Sequence, residues 1–152
     1  MIVYRITLAI YSKKLIASGN TARWNSKDKN VIYTAQSKAL ACLENIVHRD
    51  SKGLQKNFRT MVIEIPDNTA IKEIKDAQLN ASWKEFYQMP YTQAIGDKWL
   101  HSHITAVLKV PSAIVSGDFN YLLNPAHKDY KKIKIVKTKS FEFDDRIKKE
   151  FL

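Results

Sequence analysis

Five side chains of this 152-residue chain sit where a core would not want them, and together they suggest anion binding and charge stabilisation. Guanidinium groups bind phosphate or carboxylate through paired N–H donors, and a carboxylate stabilises positive charge developing nearby. Glu44 is the sharpest case. Ser37 is a good N-cap for a helix over Lys38–His48, whose apolar stripe reads Leu40, Leu43 and Val47 at i, i+3 and i+7. Position i+4, which should complete that stripe, is Glu44. A carboxylate there is costly unless it lines a cavity, or sits at the stripe's edge and pairs with a nearby Lys or Arg. Arg5 shares a strand face with Val3 and Thr7, opposite Ile2, Tyr4, Ile6 and Leu8, and on alternation alone an ordinary solvent face is the better account of it. Arg23 lies in the loop sequence Ala22-Arg23-Trp24-Asn25. Either Trp24 anchors the loop while the guanidinium faces a ligand, or the indole simply packs on the surface. Tyr33 alternates with apolar Ile32, so its ring covers a pocket or plugs the core. Ser112 follows Pro111 at a strand end; without a Gly-x-Ser-x-Gly elbow it reads as a hydrogen-bond donor rather than a nucleophile.

These residues must be positioned by a mixed set of elements. Strands are expected over Ile2–Ile10, Asn30–Ala35, Phe58–Ile65 and Ile104–Val110, the last stopped by Pro111. Tyr121–Leu123 and Ile133–Lys137 are further candidates, and Phe141 and Phe143 alternate in a last one. Ser12–Lys29, with the turn signal Ser18-Gly19-Asn20, reads as a long loop, a kind of segment that is often functional. Ala70–Pro90 supports little assignment. A second helix is expected over Thr92–Ser102, although Gly96 weakens it, and Arg146–Phe151 reads as a closing helical turn. There is no repeat, low-complexity tract or linker. The expected fold class is α+β, one compact domain over residues 1–152 with a bent, mostly antiparallel sheet.

Composition narrows the function classes. Hydrophobic content of 45% with 26% charged residues is neither disordered nor membranous, and no apolar run approaches the roughly 20 residues of a bilayer span. The opening stretch has no basic n-region, long apolar segment or cleavage site, so a cytoplasmic protein is expected. The lone Cys42 excludes an intrachain disulfide and a cysteine-based zinc site, and His101 and His103 read as solvated residues entering a strand rather than ligands. The four glycines form no phosphate-binding loop, so any nucleotide must be held by side chains, chiefly Arg. Net charge is +10, with 11 Lys/Arg against 3 Asp/Glu in residues 1–60 and a second Lys-rich stretch over Lys128–Lys139. Nucleic acid, a phosphate-bearing small molecule and an acidic protein all fit that charge. A basic nucleic-acid-binding domain ranks below the others, because the chain has no helix-turn-helix signal and no ribonuclease-like histidine pairing.

Taken in order, several stretches resemble the RES domain, a family named for an Arg, a Glu and a Ser. They are Tyr4-Arg5-Ile6, Arg23-Trp24-Asn25, Val31-Ile32-Tyr33-Thr34-Ala35, Ala39-Leu40-Ala41-Cys42-Leu43-Glu44, Ile95-Gly96-Asp97-Lys98-Trp99-Leu100, Leu108-Lys109-Val110-Pro111-Ser112-Ala113, Asn120 through His127, and Phe143-Asp144-Asp145-Arg146. Departures are modest: Ala22 where a Gly is common, Gln36 where an acid is frequent, and Lys128 in place of a Pro. The resemblance implies a fold similar to ADP-ribosyltransferase toxins. It also implies a type II toxin that degrades NAD by phosphorolysis or hydrolysis of the nicotinamide–ribose bond, or ADP-ribosylates a protein with NAD. By position it makes Arg5, Glu44 and Ser112 the eponymous residues. Glu44, Arg5 and Tyr33 are then expected to be catalytic, with Arg23, Ser112, Asn25 and His127 binding substrate. Arg5 and Arg23 would clamp the pyrophosphate. NAD is substrate rather than cofactor, and no metal is implied. Expected partners are a helix-turn-helix antitoxin, NAD and inorganic phosphate, with a homodimer inside the toxin–antitoxin complex and no membrane.

Overall fold

The computed structural model describes residues 1–148. Seven strands form one sheet: β1 (Ile2–Leu8), β2 (Ile32–Ala35), β3 (Phe58–Glu64), β4 (Ile71–Glu73), β5 (Val107–Pro111), β6 (Phe119–Leu123) and β7 (Lys134–Phe141). Their order is β4-β5-β6-β2-β1-β3-β7, and every pairing is antiparallel except β4 with β5. Two helices, α1 (Lys38–His48) and α2 (Met89–Ser102), complete the domain. The expected α+β class with a mostly antiparallel sheet is what the chain adopts.

The sheet is really two halves. β1 pairs with β3 over seven residues, and β2 pairs with β6 over four, but β1 and β2 share only Tyr4↔Ala35. Beyond that pair the ladder between β1 and β2 stops, so backbone groups of β2 on that side take other partners. Strand alternation then sorts the core. Leu108, Val110 and Leu122 point to one face and pack with Trp24, Trp83 and Trp99, the last from α2. On the same face of the other half, Ile6, Ala35 and Phe58 pack against Leu40 and Ala41 of α1. The opposite face carries Val3, Ile32, Met61, Ile63 and Leu123, covered by Leu15 and Ala17 of the long loop and by Tyr130 and Ile133. The two helices therefore lie on one face, each over its own half, with a seam between them.

Several element boundaries differ from expectation for local reasons. β1 stops at Leu8 because Ala9–Tyr11 winds into a 3-10 turn, and Ser12 Oγ closes it by donating to Ala9 O at 2.8 Å. α2 begins three residues early, with Pro90 in its first turn, where a missing N–H costs nothing. His101 lies in α2, and His103 is its left-handed C-cap at φ 49°, so that pair ends a helix rather than entering a strand. β5 starts later than Ile104, includes Pro111 and follows an exposed Ile104. The short parallel strand β4 falls in the stretch that supported no assignment. The candidates at 133–137 and 141 are one strand, β7, whereas Phe143 lies beyond it, edge-on to Phe58 and Phe141 at 5.0 and 4.9 Å. Residues 145–148 form a turn; the rest of the expected terminal helical turn lies outside the described residues.

Candidate active site

α1 forms where expected: Ser37 Oγ accepts from Leu40 N at 3.1 Å, satisfying one of the helix's free amides. Its buried side is another matter. Leu43 and Val47 are 36% and 56% exposed, so the stripe read from the sequence does not face the sheet. The sheetward track is Leu40 and Ala41, followed one turn on by Glu44 and Asn45, because the surface beneath is made of small Ala35 and the edges of Ile6 and Phe58. Asn45 ends that track by donating to Ile6 O at 3.0 Å. Glu44 is half-buried, and its neighbour is neither Lys nor Arg but His48, at 3.6 Å. Its charge also acts on Arg23 and Tyr33, favouring the protonated forms of both.

Arg23 is carried by a tight turn in the long loop, with Ala22 and Asn25 bridged. The turn rests on α2. Thr92 Oγ1 donates to Arg23 O at 2.6 Å, and Gln93 Nε2 donates to Ala22 O at 2.9 Å. Asp97 receives Ser26 N and Ser26 Oγ at 3.1 and 2.5 Å. Contact this close requires Gly96, because a Cβ there would stand 1.7 Å from Trp24 O. The residue that weakens α2 as a helix is the one that lets the loop dock. Trp24 is buried, so it anchors the loop, and it lies 5.7 Å from Trp83. Arg23 itself donates to Trp83 O at 3.0 Å and lies 6.0 Å from the Trp83 ring centre.

Tyr33 joins the parts. Its hydroxyl donates to Asn25 Oδ1 at 2.6 Å and accepts from Trp24 N at 3.1 Å, fastening the arginine turn to β2. Burial raises its phenol above the ordinary value, and the charges of Asp97 and Glu44 add to that rise. Its carbonyl accepts from Arg5 at 3.4 Å, at the point where β1 and β2 have parted. Arg5 is not on a solvent face, since its strand neighbours Val3 and Thr7 are buried. Burial lowers its pKa, and Tyr130 opposes that shift. Among the described residues neither Arg5 nor Arg23 forms an ion pair, and each has one hydrogen bond from a guanidinium with five donors.

Ser112 follows β5 in a turn that spans the seam, with Ala113 packed on the α2 side and Val115 on the α1 side. Its buried hydroxyl accepts from Ile114 N and Val115 N at 3.1 and 3.0 Å. Gln36, the family departure next to α1, closes the same end of the seam: its amide oxygen takes Phe119 N at 2.9 Å.

The structure thus brings Arg23, Tyr33 and Glu44 together, ties Arg5 in through the Tyr33 carbonyl, and sets Ser112 at one end. Two expected substrate-binding residues serve other partners. Asn25 is 1% exposed, and its amide nitrogen is already given to Asn20 O, Ser26 O and Lys29 O, so it shapes the loop. His127 uses Nδ1 to accept from Asp129 N at 3.0 Å, capping a segment whose Tyr130 and Ile133 cover the opposite face of the sheet. Thr92, Gly96 and Asp97, which hold the Arg23 turn, were missed as site-building residues. Gly96 was their legible signal, since a glycine inside a helix often marks a close backbone approach.

The domain is thus a seven-stranded α+β fold with Arg23, Tyr33 and Glu44 at an interhelical seam, and with Arg5 reaching the Tyr33 carbonyl from the sheet face of Val3 and Thr7, where Tyr130 lies. Comparison with known proteins gives the family. The RES-domain model matches residues 2–144, and the chain belongs to that family. It is 39% identical over 127 residues to the "Prs ADP-ribosylating toxin" of Sphingobium sp. (strain YBL2), covering 82% of this chain and 79% of that one. It is 34% identical over 153 residues to "Toxin Res" of Yersinia enterocolitica, covering 97% and 100%. The solved M. tuberculosis MbcT–MbcA toxin–antitoxin complex contains a chain of the same fold, with TM-score 0.78 at 19% identity over 93% of this chain and 84% of that one. No helix among the described residues is long and apolar enough to cross a membrane.

Proposed function

We propose that this protein is the toxin of a toxin–antitoxin pair and that it consumes NAD at the seam between α1 and α2. The observation that carries the reading is the half-buried carboxylate of Glu44 acting on Arg23 and Tyr33, with Arg5 bonded to the Tyr33 carbonyl and neither arginine in an ion pair among the described residues. The relatives' names support it: two are called toxins, one of them ADP-ribosylating, and ADP-ribosyl transfer from NAD begins by breaking the nicotinamide–ribose bond.

As that bond breaks, its electron pair leaves with the nicotinamide nitrogen and positive charge builds on the ribose. Glu44 stabilises this charge, as carboxylates do in glycoside cleavage. Arg23 holds the pyrophosphate, Arg5 reaches it through the opening between β1 and β2 beside the Tyr33 carbonyl, and the Tyr33 ring packs beside the nicotinamide riboside. Ser112 keeps its hydroxyl hydrogen for the sugar or acceptor. An acceptor oxygen, from phosphate or water, forms the new bond to the ribose carbon and releases its proton to solvent. Nicotinamide is a good leaving group once positioned, so no covalent enzyme intermediate is needed. Asn25 and His127 enter as positioning residues. A helix-turn-helix antitoxin that docks on the basic surface and blocks the seam completes the proposal.

Glu44→Gln keeps the shape and removes the charge, and turnover of NAD should fall by about 10²–10³. A purified variant degrading NAD at the parent rate would remove Glu44 from the chemistry. A second reading, ADP-ribosylation of a protein, is favoured by the name of the Sphingobium relative. Mass spectrometry of products separates the two: free ADP-ribose or ADP-ribose-1″-phosphate supports NAD degradation, whereas a protein gaining an ADP-ribosyl group supports transfer.

A further inference from the structure

β7 is the edge of the sheet, and its sequence Lys134-Ile135-Val136-Lys137-Thr138-Lys139-Ser140-Phe141 does not alternate regularly. The pairing with β3 explains how it is used. Ile63 faces Ile135, but Val62 faces Lys137, so Val136 is an extra residue in the ladder, a β-bulge. Without the bulge Lys137 and Lys139 would lie on the face of Val3 and Ile63. With it, Lys137 aligns with Val62 and Tyr4, and Lys139 with Thr60 and Ile6, on the face that carries α1. The displaced residue is left in solvent, with Val136 58% exposed.

The outcome is a groove of about 360 Å³ lined by Tyr4, Lys38, Thr60, Lys137, Lys139 and Ser140 together with apolar Val62 and Phe141. Among the described residues no acidic side chain lines it. Lys38, from the first turn of α1, stands 5.7 Å from the centre of the Tyr4 ring. Lys139 lowers the Lys137 pKa by hydrogen bonding and by charge, and Lys38 adds to the effect. The same bulge turns Phe141 onto this face, where it packs with Phe58 and Phe143, and it gathers three ammoniums into one concavity, where they repel one another. The arrangement makes sense if an anion fills it. Lys binds phosphoryl groups as a point charge, whereas planar carboxylates favour Arg forks; among the described residues the groove is lined by three lysines, three hydroxyl-bearing residues (Tyr4, Thr60 and Ser140, whose hydroxyl accepts from Arg59) and no arginine. Its volume is near the lower end of small-ligand sites.

We propose that the Lys38–Lys137–Lys139 groove is a phosphoryl-binding site, taking free phosphate or pyrophosphate or the phosphates of a nucleotide. None of Arg5, Arg23, Tyr33, Glu44 or Ser112 lines it, so the assignment stands whether or not the seam acts on NAD.

The test is calorimetric titration of the purified protein with sodium pyrophosphate at low salt, with amide chemical-shift mapping to locate the bound ion. Shifts centred on Lys38, Lys137 and Lys139 are expected, separate from any set around Arg5 and Arg23 where the seam takes the same ion. Lys137→Gln/Lys139→Gln, a change confined to exposed side chains, should weaken the binding read from the groove shifts at least about tenfold. In phosphate-free buffer the double variant should also melt above the parent, because repulsion is relieved, and it should lose the parent's stabilisation by pyrophosphate. A parallel titration with ADP separates the sources. ADP binding no tighter than pyrophosphate identifies a free-phosphate site; ADP binding tighter, and weakened by Tyr4→Ala, identifies a nucleotide site. Groove shifts that survive the double variant, or no groove shifts at millimolar pyrophosphate, overturn the proposal. So does tight binding of an oligothymidylate through these lysines when pyrophosphate does not bind, which would make the groove a nucleic-acid surface.

Discussion

The two halves of the sheet meet at one residue pair, yet their helices are held very differently. α2 buries Thr92, Gly96, Trp99 and Leu100 and grips the arginine turn through Thr92, Gln93 and Asp97. α1 buries only Leu40 and Ala41 and leaves Leu43 and Val47 toward solvent. The Arg23 turn thus belongs to the firmly packed side, and the Glu44 carboxylate to the lightly packed side. A site built this way keeps Arg23 and Tyr33 pre-positioned, while the helix carrying Glu44 offers exposed apolar surface a partner can cover.

Breaking the firm side should have the largest effect. Gly96→Ala drives a methyl into the Trp24 carbonyl, which is backbone and cannot yield cheaply. We expect a loss of about 3 kcal/mol or more by chemical denaturation, or failure to fold; near-parent stability would show that the turn does not rest on α2. Trp24→Ala empties the centre of the same cluster and should cost about 3–5 kcal/mol. Tyr33→Phe is subtler. It leaves Asn25 Oδ1 and Trp24 N without their partner and should cost about 1–3 kcal/mol.

Tyr33 also makes a pH prediction. Its folded pKa is raised, so the folded state keeps a proton that the unfolded chain gives up near its ordinary value of about 10. Stability from this group is present below that pH and is lost as pH rises above it. Alkaline melts should therefore fall more steeply for the parent than for Tyr33→Phe; parallel curves would contradict the buried phenol. On the light side, Leu43→Ser and Val47→Ser should each change stability by no more than about 0.5 kcal/mol. A loss of about 2 kcal/mol would instead mean that α1 faces the sheet with the stripe its sequence suggests.

Much of the fold could be read in advance because it rests on local rules. The Ser37 cap placed α1 at its observed limits, and β-branched runs located β1 and β3. What was misread depended on neighbours. Gly96 counts against a helix when only propensity is weighed, and becomes necessary once a loop carbonyl lies on it. The Leu40–Leu43–Val47 stripe is a correct helical pattern, but Ala35 beneath the helix leaves room for Leu40 and Ala41 and turns the other two outward.

The site divides along the same line. The ordered stretches that hold Arg5, Arg23, Tyr33, Glu44 and Ser112, with those from Ile95 to Arg146, were enough to suggest the family, which the residue 2–144 match establishes. It did not say that Tyr33 fastens the arginine turn with its hydroxyl and takes Arg5 on its carbonyl, because those contacts need β1 and β2 to part after one pair. Nor could counting residues along β7 tell which face its lysines take, since a single bulge at Val136 reverses the alternation. Periodicity and capping are properties of a segment and are written in its sequence. Which face is buried, where a ladder opens and what a charge meets are set by pairing across the sheet, and only the tertiary structure decided them.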